Sequence, residues 1–126
     1  MLQNSPLIAF ATTARPDQTR IFYEDVLGLT PTYEDDFALV FDACGTMLRL
    51  SKVPDCQPTD STVVGWQVEA ITDTVVALTA RGVAFTRYPS MKGQDEFGIW
   101  THERVAKVAW FKDPDGNTLS LTQFLQ

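Results

Sequence analysis

Arg49 and Ser120 are the polar residues whose positions most strongly indicate a function. They lie in the middle of "TMLRLSK" and "TLSLTQF", two stretches in which polar and apolar residues alternate. Such alternation is typical of a β-strand with one buried face, so both side chains are predicted to face away from the core. An arginine on such a face either binds a carboxylate or phosphate through its planar guanidinium, or pairs with one of the sixteen Asp and Glu residues. The sequence leaves both possibilities open.

Further candidate ligand contacts follow from the same alternation. The residues predicted to share that face are mostly apolar, with one hydroxyl and one amide among them: Ile8, Phe10, Thr12, Met47, Val63 and Gln67. Apolar walls with a few polar groups are typical of a small-molecule pocket. Trp100 and Tyr88 either close over this pocket as an aromatic lid or pack within their own hairpin.

The sequence contains no recognisable catalytic set. The single histidine, His102, precedes Glu103 in a segment predicted to lie in or beside a loop, and we interpret it as an exposed side chain. Cys44 and Cys56 have neither metal-binding spacing nor a disulfide pattern, which favours reduced thiols in the cytoplasm. No glycine-rich phosphate loop follows a strand, and no serine lies in a nucleophile motif.

Composition excludes several classes of protein. A length of 126 residues predicts one domain, residues 1–126, that can bury a core. A net charge of −6 argues against nucleic-acid binding, which requires a basic surface. Apolar runs are too short to cross a bilayer, and the first ten residues lack the pattern of a signal peptide. We therefore expect a cytoplasmic protein with no nucleic-acid or membrane partner.

The chain repeats one order of elements. Each half begins with a strand, continues with a helix ended by glycine (Gly28, then Gly82) and closes with a hairpin that has glycine at its turn (Gly45, then Gly116). The first half covers about residues 6–53, the linker 54–62 and the second half about 63–124. Strands are predicted at 7–13, 30–35, 37–43, 46–52, 63–68, 83–88, 98–101, 106–112 and 117–124, with helices at 16–28 and 70–82. This order predicts an α+β fold, in which two curved antiparallel sheets, each with a helix on its outer face, enclose a central cleft.

The two ends of the chain carry the motifs "FYEDVLGL" and "WFKDPDGNTLSL". Together with the repeated order of elements, from about Pro6 to Phe124, they make the chain similar to the vicinal oxygen chelate superfamily, which includes glyoxalase I, bleomycin-resistance proteins and extradiol dioxygenases. The resemblance implies two βαβββ modules and a ligand site in the cleft between them. Within "DPDGN", Asp113 and Asn117 are predicted to hold the turn rather than to take part in chemistry.

The resemblance also implies where a metal would bind. Members that use a metal hold it with His, Gln or Glu from four strands. In this sequence the matching positions are Ile8, Arg49, Val63 (Val64 if the register slips by one) and Ser120. None of these side chains binds a divalent ion, so we expect no metal cofactor.

These observations favour a metal-free protein that binds a small, partly apolar ligand in the cleft, as bleomycin-resistance proteins do. If Arg49 faces the cleft, that ligand is anionic. One alternative is a lyase, isomerase or oxygenase of the same superfamily with an atypical or absent metal site; another is a regulatory domain that uses the fold as a scaffold. We also expect a homodimer, because "FALVF" and "AWF" carry more apolar residues than one small core requires.

Overall fold

The chain folds into two compact units, each built around its own four-stranded sheet. The computed structural model describes residues 1–126, with one unit over Met1–Pro58 and the other over Thr59–Gln126. No helix of the chain has the length and apolar character needed to cross a membrane.

The first unit contains strands β1 to β4 and a short helical segment. Its elements are β1 (Ile8–Thr13), α1 (Pro16–Ile21), a π-helix (Phe22–Val26), β2 (Thr30–Glu34), β3 (Ala38–Ala43) and β4 (Thr46–Lys52). The sheet order is β1-β4-β3-β2, in which β1 and β4 run parallel and the other neighbours antiparallel. The expectation of purely antiparallel sheets is therefore wrong. The first strand pairs with the last, and the helix and two strands between them return the chain in the same direction.

The second unit repeats this arrangement. It contains β5 (Thr62–Gln67), α2 (Ile71–Ala80), β6 (Trp100–His102), β7 (Ala106–Lys112) and β8 (Thr118–Phe124). The order β5-β8-β7-β6, with β5 parallel to β8, is that of the first sheet, and it confirms the internal repeat predicted from the sequence. The prediction of a strand over 83–88 is wrong. Within this segment only Phe85 pairs with β7, through an isolated β-bridge to Phe111, and the chain then turns away from the sheet.

The first helix departs from the regular helix predicted over 16–28. It begins at Pro16, whose missing N–H needs no partner in a first turn, and widens into the π-helix at Phe22. Tyr23 is fully buried and its ring stacks on Phe41 at 5.7 Å, which fixes the helix on one face of the first sheet. Gly28 ends the segment with a φ of +81°, a value that favours glycine.

Leucines on the last strand of each unit form the core of that unit. Leu48 and Leu50 are buried, and Leu48 lies beside Phe41, on which Tyr23 of the π-helix stacks. Leu119 and Leu121 occupy the matching positions in β8, where α2 packs on β7 and β8. The expectation of apolar surface in "FALVF" and "AWF" is largely wrong, because most of these side chains belong to the same two cores. Only Phe37, which is 74% exposed, and the half-buried Trp110 reach the surface.

The "DPDGN" turn is held by one carboxylate, as predicted. Asp113 is buried, and its Oδ1 accepts hydrogen bonds from the backbone N–H groups of Asp115 and Asn117, both at 2.9 Å. Its Oδ2 accepts a third bond, from Asn117 Nδ2, at 2.9 Å. This turn fixes the register of the hairpin that aligns β8 with β7.

Replacing Asp113 should therefore destabilise the second unit. We expect Asp113→Ala to lower the free energy of unfolding by about 2–3 kcal/mol, because three buried donors lose a charged acceptor. Asp113→Asn keeps an oxygen in place and should lose clearly less. Urea denaturation measures both changes, and a loss below about 0.5 kcal/mol in the alanine variant would contradict this role.

Candidate functional site

The first sheet has one face that its own helix does not cover, here called the helix-free face. Strand register places Ile8 beside Met47 and Phe10 beside Arg49 on it, with Val40 on the other side of Arg49. Ile8 and Met47 are each 43% exposed and Phe10 is 57% exposed. The predicted grouping of these residues is thus present on one surface, and Arg49 lies in its middle.

Arg49 is a cation without a partner. Its half-buried side chain forms no ion pair and no hydrogen bond, so the ion pair that the sequence left open as an alternative is not present. Two other cations of the same unit are paired: Arg20 and Lys52 each lie 2.8 Å from Glu34. Hydrogen bonds from Arg20 and then Lys52 lower the pKa of the Glu34 carboxyl, as expected for a carboxylate held between two cations.

Asp35 interacts electrostatically with Arg49, but its carboxylate is hydrogen-bonded to other groups. Asp35 Oδ1 accepts hydrogen bonds from the N–H groups of Phe37 and Ala38, at 2.8 and 3.0 Å. Its Oδ2 accepts the Tyr33 hydroxyl at 2.9 Å. The Phe37 and Tyr33 bonds are the main reasons why the pKa of Asp35 is lowered, and the Arg49 charge adds only a small effect. The guanidinium therefore remains free to bind an anion.

Thr12 has a different environment from its neighbours on this face. Its hydroxyl lies 3.2 Å from the Cys56 sulfur, which comes from the segment following β4. Thr12 is thus a covered position at one end of the helix-free face rather than an open contact. Neither Cys44 nor Cys56 forms a disulfide.

The second sheet carries Ser120 at the position equivalent to Arg49. Ser120 is buried and lies between Gly65 and Trp110 in the strand register. A Cβ atom at Gly65 would lie 2.9 Å from Ser120 Oγ, so only glycine allows this close approach. Ser120 is therefore a packed position and offers little surface to a ligand.

The two candidate residues on β5 lie at its ends. Val63 is the extra residue of a bulge, because Thr62 pairs with Thr118 and Val64 with Leu119. Because of this bulge, the strand register shifts by one residue between Thr62 and Val64. Val63 and Val64 are the two positions that the sequence left open for the third metal ligand. Gln67 pairs with Thr122 and is exposed.

Aromatic side chains cluster on the second unit around Trp110, which sequence analysis did not single out. The Tyr88 ring meets Trp110 edge-on at 5.5 Å, and Trp100 lies 6.3 Å from Trp110 on its other side. His102 stacks on Trp100 at 5.4 Å; it is the last residue of β6, directly beside the turn over 103–105, and its side chain is exposed, as predicted. Strand alternation from Ser120 could have identified Trp110, since it is the cross-strand neighbour of that serine.

A cavity of about 230 Å³ adjoins this cluster. It is lined by Asp60, Tyr88, Ser90, Met91 and Trp110. The Tyr88 hydroxyl oxygen is buried and has no hydrogen-bond partner in the protein, which is uncommon for a buried polar group. Trp100 and Tyr88 therefore form part of an aromatic surface beside a cavity.

The residues present do not fit a divalent metal. Ile8, Arg49, Val63 and Ser120 offer neither a carboxylate nor an imidazole, and no group of three His, Cys, Asp or Glu side chains comes together elsewhere. An unpaired guanidinium would also repel a cation. No reaction step through a metal can be built from these side chains.

Comparison with known proteins identifies the family. The family model described as the glyoxalase/bleomycin resistance protein/dioxygenase superfamily matches residues 8–121. No curated protein matches the chain.

Solved structures with the same fold have diverse functions. An antibiotic binding protein, TnmS3, from Streptomyces sp. CB03234 is 19% identical with a TM-score of 0.72, and the match covers 98% of each chain. The fosfomycin resistance protein FosX from Listeria monocytogenes is 14% identical with a TM-score of 0.69, covering 95% of this chain and 93% of that one. A glyoxalase/bleomycin resistance protein/dioxygenase from Nocardioides is 18% identical with a TM-score of 0.70, covering 98% and 86%. At these identities the likeness establishes the fold alone.

Proposed function

Since the chain belongs to the glyoxalase/bleomycin resistance protein/dioxygenase superfamily, we propose that it binds and sequesters a small, partly apolar anion without using a metal. The observation that carries this proposal is the unpaired guanidinium of Arg49 among the exposed apolar side chains of Ile8, Phe10 and Met47. An antibiotic binding protein and a fosfomycin resistance protein with the same fold support a binding role of this kind.

The physical basis is the cost of leaving a partly buried cation without an anion. A guanidinium loses hydration beside apolar side chains, and a carboxylate or phosphate restores that loss through two parallel hydrogen bonds. Phe10 lies beside Arg49 and Met47 lies on the same strand, and both are exposed, so the apolar part of the ligand would cover surface that now faces water. Charge gives the ligand its orientation, and apolar contact adds affinity.

Two cysteines outside any disulfide, Cys44 and Cys56, support a reducing compartment such as the cytoplasm for this function.

Replacing Arg49 should abolish anion selectivity. We expect Arg49→Met to weaken binding of an aryl carboxylate or phosphate by about 2–5 kcal/mol, since methionine keeps most of the volume but removes the charge. Arg20→Met is a matched control, because that arginine already pairs with Glu34 in the same unit. Titration calorimetry across a panel of carboxylates and phosphates measures the difference. Equal binding by wild type and Arg49→Met would remove Arg49 from the site.

Chelation should leave the protein unchanged. Because no ligand set for a divalent ion is present, we expect dialysis against EDTA to alter neither the melting temperature nor anion binding. Metal analysis of the purified protein accompanies the experiment. A stoichiometric transition metal, or a fall in melting temperature after chelation, would contradict the metal-free proposal.

We also propose that the protein is a homodimer. The apolar surface that supports this is not the one assigned to the ligand: it comprises Leu7, 76% exposed before β1, and Phe37, 74% exposed before β3. A second copy that covered part of this surface would bury side chains now exposed. Light scattering at micromolar concentration should give twice the mass of the chain, and a monomeric mass would refute the proposal.

A further inference from the structure

The cavity beside Trp110 is not used by the proposed function. It measures about 230 Å³, against roughly 150 Å³ for an enclosed apolar cavity known to take up benzene, and it is a groove open to solvent, so a flat molecule of one or two rings can enter it. It is smaller than a pocket for a drug-sized molecule, which limits the ligand, or the part of it that is bound, to that size.

The wall of this cavity is suited to a flat ring. Trp110 is half-buried, and Tyr88 holds it edge-on at 5.5 Å with the ring planes 87° apart. Aromatic rings attract one another in offset and edge-on arrangements because of their quadrupoles, and a saturated ring of the same size lacks this attraction. Met91 also lines the cavity and adds a polarisable sulfur that suits aromatic neighbours.

The charge at the cavity is compensated within the protein. Asp60 lies 3.2 Å from Lys112 Nζ, and that ammonium also donates to Thr118 Oγ1 at 2.6 Å. No unpaired charged group therefore lines the cavity, which favours a neutral ligand. In this the cavity differs from the surface around Arg49.

The Tyr88 hydroxyl is the remaining polar feature. A buried hydroxyl without a hydrogen bond destabilises the folded protein, and Tyr88 is also one of the residues that line the cavity, so a ligand there could supply the missing partner. The oxygen is covered in this structure, and residues 89–93 flank it. All of these except Met91 are exposed, so the segment can shift without unburying a core.

We infer that this cavity binds a neutral, flat aromatic molecule carrying a hydroxyl or carbonyl group, with its ring against Trp110 and its polar group hydrogen-bonded to the Tyr88 hydroxyl. This goes beyond the proposed function, because it concerns the other unit of the chain and a ligand without charge. Its failure would leave anion binding at Arg49 unaffected, and the reverse also holds.

The first test needs no substitution. Calorimetric titration of the wild-type protein compares 2-naphthol with decahydro-2-naphthol, which has the same carbon skeleton and hydroxyl but no aromatic ring. We expect 2-naphthol to bind about tenfold more tightly or better. Equal affinities, or no binding of 2-naphthol, would overturn the inference.

Three variants then assign the contacts. Trp110→Leu should weaken 2-naphthol binding about tenfold, whereas Trp66→Leu should not, because Trp66 stacks on Phe111 at the opposite face of the same sheet. Tyr88→Phe should weaken it about fivefold while the melting temperature stays equal or rises, since the unpaired hydroxyl is gone. Unchanged affinity in Trp110→Leu or in Tyr88→Phe would overturn the assignment of a ring or of a polar contact, respectively.

Discussion

The parallel pairing of the first strand with the last strand in each unit determines which side chains share a surface. Because β1 pairs with β4, Phe10 lies beside Arg49, and because β5 pairs with β8, Gly65 lies beside Ser120. The intervening helix can cover only one face of so small a sheet. The other face must therefore carry residues that tolerate exposure or that bind something, and on the first sheet these residues are apolar around one cation.

Electrostatics then distinguishes the two units. In the first, Glu34 pairs with Arg20 and Lys52, and the Asp35 carboxylate is hydrogen-bonded to backbone and tyrosine donors, so the Arg49 guanidinium has no carboxylate in direct contact with it. In the second unit, Ser120, which is packed against Gly65, takes the place of Arg49. Trp110 takes the place of Val40 on the neighbouring strand. One repeated fold thus presents a cationic surface in one unit and an aromatic surface in the other.

Strong local patterns made most of the fold predictable. Strand alternation placed β4 and β7 at their observed bounds, and the roles of Asp113 and Asn117 followed from turn chemistry. The parallel pairings and the bulge at Val63 could not be predicted, since they depend on how strands meet rather than on local sequence. Alternation also identified Arg49, but not whether an acid would pair with it. Trp110 was missed because its neighbours in "AWF" suggested plain surface or core.

Anion binding by the Arg49 guanidinium can be observed directly in a crystal structure of the protein with 4-bromobenzoate, located by its bromine. We expect the carboxylate oxygens about 2.7–2.9 Å from the Arg49 nitrogens, with the ring against Phe10 or Met47. An Arg49 side chain bonded to a carboxylate of the protein itself, with the benzoate elsewhere, would contradict it.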